Sequence, residues 1–70
     1  MITWYLSDTF MDTVTGFQGT ATAVCYYLNS GPRVCLENID NDGNIIQEWL
    51  DLPRLKFVAK GKFEATEIHP

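Results

Sequence analysis

Turn-forming residues punctuate this chain so often that no long helix fits between them. Gly16 and Gly19 come first, then the cluster Asn29-Ser30-Gly31-Pro32, then Asn41-Asp42-Gly43-Asn44, then Pro53. The intervening runs are rich in Thr, Val, Tyr, Phe and Trp, and none carries apolar residues at i, i+3, i+4 and i+7 over three turns. Short β-rich runs at such spacing predict a small sandwich or barrel. Strands are expected near 2–6, 10–15, 19–28, 33–39, 45–50 and 55–59. Asn29 to Pro32 closes one hairpin, and Asn41 to Asn44 closes another, with Asp42-Gly43 supplying the positive φ that such turns need. Pro53 would break a central strand but suits an early position in a 3-10 turn, so Asp51-Leu52-Pro53-Arg54 is read as one such turn. The β-domain is expected to occupy 1–59. Residues 60–70, KGKFEATEIHP, read as a polar C-terminal tail with Phe63 and Ile68 embedded, either frayed or docking elsewhere as a strand.

Seventy residues make one small domain, and a chain of this size buries only about 60% of its unfolded surface. Self-association or a disulfide commonly supports so small a core. The net charge is −4, with five Lys and Arg scattered at 33, 54, 56, 60 and 62. That balance disfavours binding to nucleic acid, whose affinity comes mostly from phosphate neutralisation, and fits solubility. No run approaches the ~20 apolar residues needed to span a bilayer, and MITWYLSDTF carries no positive charge ahead of its apolar residues, unlike a secretory signal. A cytoplasmic location with reduced thiols is the expectation.

Strand residues alternate between faces. A four-residue loop at Asn29–Pro32 would pair Leu28 with Arg33, Tyr27 with Val34, Tyr26 with Cys35 and Cys25 with Leu36. This register sends Ala21, Ala23, Cys25, Tyr27, Val34 and Leu36 inward, and Thr22, Val24, Tyr26, Arg33, Cys35 and Glu37 outward. The expected core adds Val14, Phe17 and Leu55. The two cysteines then lie on opposite faces and form no disulfide. A slip of one residue would reverse one strand's faces. Gly16 and Gly19 bracket Phe17, so a sharp bend anchored by Phe17 is expected, with positive φ at one of the two glycines.

The run Asp12-Thr13-Val14-Thr15-Gly16-Phe17-Gln18-Gly19-Thr20-Ala21-Thr22-Ala23, followed by Tyr27-Leu28-Asn29, Arg33-Val34-Cys35-Leu36, Trp49-Leu50-Asp51 and Arg54-Leu55, resembles a family of small phage and prophage proteins. Their pattern is roughly D-x-V-T-G-F-x-G-x-A-T-A, then Y-L-N/T-G, then W-F-D-x-x-x-L, and the resemblance covers residues 6 to about 58. The chain is also similar to SH3-like small barrels, in which a strand, a Gly-Phe-x-Gly turn and a long hairpin precede a final 3-10 turn and strand. The resemblance implies an all-β, SH3-like barrel of five to six antiparallel strands with a 3-10 turn before the last strand. It also implies a phage-type protein at work in a bacterial host cell. Two departures stand out. Ser30-Gly31 replaces the Gly-Cys that often follows the Asn in the family, and Val24 and Tyr26 occupy places where members tend to carry charge.

No constellation for catalysis emerges. His69 is the only histidine and lies next to the C-terminus, where it cannot be held as a general base. Ser7 and Ser30 have no base beside them in sequence, Asp8 and Asp12 read as solvated, and the sequence carries no phosphate-binding or zinc motif. Asn38 to Ile45 has oxygen side chains at the first, third and fifth places of a calcium loop, but Trp49 stands where a bidentate Glu is required and the flanks are strands. It reads as a hairpin turn. No cofactor or metal is expected.

The expected function is therefore non-enzymatic: a phage-type accessory or counter-defence factor, monomeric or homodimeric, that binds a protein, with a host protein the favoured partner, through Val24, Tyr26, Arg33, Cys35 and Glu37. Apolar residues on a solvent face suit such a patch. Equally, Tyr26 could pack on the N-terminal strand and Trp4. The alternative is a nucleic-acid- or nucleotide-binding barrel, with Tyr26, Tyr5 and Trp4 stacking bases and Arg33, Arg54 and Lys56 meeting phosphates.

Overall fold

Seven strands and one 3-10 turn account for the regular structure of the computed structural model, which describes residues 3–62 and 64–69. The strands are β1 (Trp4–Tyr5), β2 (Thr9–Asp12), β3 (Gln18–Cys25), β4 (Arg33–Ile39), β5 (Ile45–Asp51), β6 (Leu55–Ala59) and β7 (Glu67–Ile68). The 3-10 turn, Leu52–Arg54, joins β5 to β6 and has Pro53 in its first turn, as the sequence predicts. Ile2, expected to open the first strand, and Phe63 lie outside the described residues.

The protein is all-β. Five strands form one antiparallel sheet in the order β5-β4-β3-β2-β6, and β1 pairs with β7 in a second, two-stranded sheet. β5 and β6 stand at opposite ends of the larger sheet, so the barrel is not closed. The core is built from Phe10, Ala21, Val34, Leu36, Leu50, Leu52, Leu55 and Ile68, with Trp4, Leu6, Phe17, Val24 and Phe57 packed against it. Phe10 is its centre. Trp4 packs on it with tilted ring planes at a ring-centroid distance of 4.8 Å, and Phe57 meets it edge-on at 5.9 Å. The tail returns to the body: Ile68 pairs with Trp4 and is buried. Within the segment read as a tail, Glu67–Ile68 form a docked strand.

The turns explain most of the strand limits. Gly16 has φ +81°, which supplies the bend expected between the glycines. Gly19 serves a different purpose: a Cβ there would lie 2.6 Å from the Glu37 carbonyl oxygen, so only Gly permits the approach of β4. At the second hairpin Gly43 has φ +83°. The Asp40 carboxylate accepts the N–H groups of Asp42 and Asn44, both at 2.9 Å. The Asn44 contact is the main reason the Asp40 carboxyl sits below its ordinary pKa.

Several placements differ from the sequence expectation, and one feature explains those of Ala23, Val24, Cys25 and Tyr27, with Ala23 turned to the face of Cys35 and not to the core. β3 pairs with β4 as Ala21 with Leu36, but then as Ala23 with Cys35, Val24 with Val34 and Cys25 with Arg33. The register shifts at Thr22, a β-bulge that puts one extra residue into β3 and reverses its faces from there on. Ala21 therefore faces inward as expected, while beyond the bulge Val24 packs on the core and Cys25 and Tyr27 do not. Tyr27 is exposed, and the connection to β4 runs over residues 26–32 rather than 29–32. Cys35, expected outside, is buried. Val14, expected in the core, is 71% exposed. β2 stops at Asp12 because the Asp12 carboxylate draws the Val14 and Thr15 N–H groups into a turn, at 3.3 and 3.1 Å.

Asp8 and Asp12 flank Phe10 at spacing two, and both are fully buried. The Asp8 carboxylate accepts the N–H of Tyr5 (3.0 Å) and of Gly61 (2.9 Å), with Lys60 Nζ at 3.7 Å. It thus ties the approach to β2 to the segment after β6. Gly61 presses on Ser7, which holds a positive φ of 87°, and any Cβ at Gly61 would collide with it. Asp12 receives a two-pronged Arg54 guanidinium, Nε at 2.9 Å and Nη2 at 2.7 Å, and the Thr15 hydroxyl also donates to it. The Arg54 guanidinium holds the Asp12 carboxyl well below the usual carboxylate range, against the opposing effect of burial.

A carboxyl whose folded pKa is depressed contributes stability that is complete above its unfolded value of about 3.9 and is lost as the pH falls toward the folded value. The melting midpoint should therefore be flat above about pH 5 and fall progressively below about pH 4. Arg54→Met should lower the midpoint at neutral pH by more than about 10 °C, because it strands a buried carboxylate, and should shallow the acid limb. Melting curves of both proteins between pH 2 and 7, followed by circular dichroism, check this. An unchanged acid limb in the variant would remove Asp12 as its source.

Candidate functional site

β4 positions the site. Its residues alternate cleanly: Val34 and Leu36 enter the core, and Arg33, Cys35 and Glu37 point to the other face of the sheet. On that outer face Arg33 sits between Cys25 and Asp51, Cys35 between Ala23 and Trp49, and Glu37 between Thr20 and Gln47. Arg33 Nε donates to Asp51 Oδ1 at 3.0 Å, and its guanidinium lies 5.9 Å from the centre of the Tyr27 ring. A hydrogen bond with the Cys25 thiol pushes the Tyr27 phenol above its ordinary pKa. Tyr27, Arg33, Asp51 and Cys25 are thus one linked group, with Trp49 beside it on the same face of β5. Tyr27 and Trp49 are 45% and 47% exposed, enough surface for each ring to meet a partner.

The five residues predicted to form a binding patch divide accordingly. Arg33 and Glu37 lie on the outer face and reach solvent. Cys35 shares that face but is covered, so it forms the floor of the patch and not its surface. Val24 is on the opposite face, turned there by the bulge. Tyr26 is half exposed, and its hydroxyl accepts the His69 N–H at 2.9 Å, which ties it to the strand that pairs with Trp4. Tyr27 and Trp49 were not among the predicted site residues. Leu50 would have signalled Trp49: once Leu50 faces the core, alternation places Ile45, Gln47, Trp49 and Asp51 outside.

Of the residues named for the base-stacking alternative, Tyr26 and Lys56 reach solvent, and the other four are engaged within the molecule. Trp4 packs on Phe10, Tyr5 lies beneath Lys60 Nζ at 4.5 Å, Arg54 is held by Asp12 and Arg33 by Asp51. A separate groove of about 630 Å³ opens between the start of β2, β3 and the segment after β6. Thr9, Thr20 and Thr22 line it with Leu6, and Lys60 and Lys62 bring positive charge; no carboxylate lies in its wall among the described residues. The described residues hold no group of three His, Cys, Asp or Glu placed to bind a metal ion, and no helix long and apolar enough to cross a membrane.

Burial distinguishes the two free thiols. Cys25 is partly accessible and Cys35 is not. Under native conditions a maleimide should modify Cys25 readily and Cys35 at least about a hundredfold more slowly, since Cys35 must await opening of the sheet. In denaturant, without reductant, both should react. Mass spectrometry of the digested protein reads the ratio, and equal native rates would contradict the placement of Cys35.

No protein-family model matches this chain, and neither a curated protein nor a solved structure matches it.

Proposed function

We propose that this protein is a non-enzymatic binding module, a phage-type accessory or counter-defence factor that engages a protein partner through the outer face of its sheet. The observation that carries this reading is the exposed aromatic pair Tyr27 and Trp49 around the Arg33–Asp51 ion pair. Aromatic and Arg side chains dominate interface energies, and a rim of ordinary polar residues around them excludes water. The Tyr27 ring lies against the Arg33 guanidinium, which reduces the freedom it loses when a partner covers it. The Arg33–Asp51 pair offers both a donor and an acceptor beside the apolar rings. The phage and host context comes from the sequence resemblance alone.

The groove supports a second reading, a small anionic ligand such as a nucleotide. Its size and mixed lining, with two lysines and no acid, match what small-ligand sites use.

Affinity capture from a bacterial lysate, followed by mass spectrometry, separates the two. A discrete protein retained by the native chain and lost with Tyr27→Ala, whose fold is checked by circular dichroism, is the expected result; truncating one such aromatic commonly weakens an interface by about 2 kcal/mol or more. Retention of nucleotide or nucleic acid that is lost with Lys62→Ala and weakens steeply with salt would favour the groove instead.

A further inference from the structure

The outer strands of the large sheet are built differently. β6 is five residues long, follows Pro53, carries Lys56 on the outer face and meets β2 with a register shift beside Thr9 and Phe10. Short length, a lysine and a bulge are the usual devices that stop an edge strand from pairing with another chain. β5 has none of them. It is seven residues long, IIQEWLD, with no Lys, Pro or Gly, and it pairs with β4 over its whole length without irregularity. No second strand neighbours it among the described residues.

The hydrogen bonds at its two ends show which groups the open edge presents. Asp40 N donates to Asn44 O at 2.9 Å, and Leu52 N donates to Pro32 O at 3.1 Å. Both pairs continue the β4–β5 register. Hydrogen-bonded and non-hydrogen-bonded pairs alternate along an antiparallel ladder, so Ile46, Glu48 and Leu50 turn their N–H and C=O groups to β4. Ile45, Gln47, Trp49 and Asp51 turn theirs to the open edge. The same four side chains lie on the outer face, and Ile45 and Trp49 are exposed at 68% and 47%. The edge therefore offers an unfilled main-chain ladder with apolar side chains standing over it.

We infer that a second copy of this chain occupies the edge, β5 against β5, antiparallel, with Gln47 on the two-fold axis. The argument is the self-complementarity of the strand. A two-fold axis perpendicular to the sheet keeps the outer faces together. With Gln47 at the centre, Ile45 lies opposite Trp49 of the second copy, twice, and aromatic with β-branched pairs are among the favourable cross-strand contacts. Gln47 meets itself, where two amides can exchange hydrogen bonds, and Glu48 lies opposite Ile46. No like charges face each other. A centre at Glu48 would oppose two carboxylates, and a centre at Trp49 would shorten the ladder. The result is a continuous ten-stranded sheet across two copies, with the bulged, lysine-bearing β6 at both outer ends. This inference rests on the main-chain edge; it shares Trp49 with the proposed partner surface but does not involve Tyr27.

Sedimentation equilibrium on the full chain, from low micromolar to high micromolar concentration, tests it. The native protein should pass from monomer to twice the monomer mass and no further. Gln47→Pro removes an N–H that points only to the open edge, and Ile45→Lys installs the lysine that β6 already has; each should weaken the dimer at least about tenfold. Ile45 is exposed in the monomer, so its variant serves even where the proline variant unfolds. Tyr27→Ala and Lys56→Ala should leave the mass unchanged. A monomer at every concentration overturns the inference, as does a dimer that survives Ile45→Lys or is lost with Lys56→Ala. Because Tyr27→Ala is neutral here, failure of the dimer and failure of the partner surface are read separately.

Discussion

The Arg54–Asp12 clamp fixes the order of the sheet. Asp12 ends β2, and Arg54 ends the 3-10 turn from which β6 begins. Hydrogen bonds run both ways between the two segments: the Arg54 guanidinium donates to the Asp12 carboxylate, and the Arg54 carbonyl accepts the N–H and the hydroxyl of Thr13, each at 2.8 Å. With those ends joined, Asp12 faces Leu55 and β6 can only run back along β2. The carboxylate also winds the turn up to Gly16, which aims Phe17 at the core. One buried anion thus sets a strand end, a turn and a strand pairing. Its burial is tolerable because every lone-pair direction has a donor.

Asp8 repeats the arrangement at the other end of the same strand, with backbone N–H donors in place of most of the arginine's work. Phe10 sits between the two carboxylates. β2 is therefore held at both ends by charge and at its middle by rings, an unusual share of polar anchoring for so small a core. It compensates for the limited apolar area a domain of this size can bury.

The strands were legible because their boundaries are turn residues whose chemistry is local. The faces of β4 were legible too, since Val34 and Leu36 alternate with Arg33, Cys35 and Glu37. β3 was not. The run Thr20-Ala21-Thr22-Ala23 repeats two small residues that fit either face, so nothing in it marks where the extra residue of the bulge enters. From that position onward every side chain reverses, which is why Val24 was placed outside and Tyr27 inside. The buried carboxylates were missed for a different reason: charge on a strand usually means solvent. Their spacing of two from Phe10 was the available sign. Of the candidate site, Arg33, Cys35 and Glu37 were correctly put on one face, and the aromatic groups that give the face its character came from strands read for other purposes.

The pairing of Trp4 with Ile68 brings together residues near opposite ends of the sequence. Contacts between such distant positions form late, because the loop they close spans 64 residues (68 − 4) and its closure entropy must be met before the contact returns any stability. The hairpins β3–β4 and β4–β5 are local by comparison and can form first. During synthesis, Ile68 leaves the ribosome among the last residues of this stretch. Until then Phe10 and its neighbours lack part of their cover, and the nascent sheet has an apolar face open to any chaperone that recognises such surface.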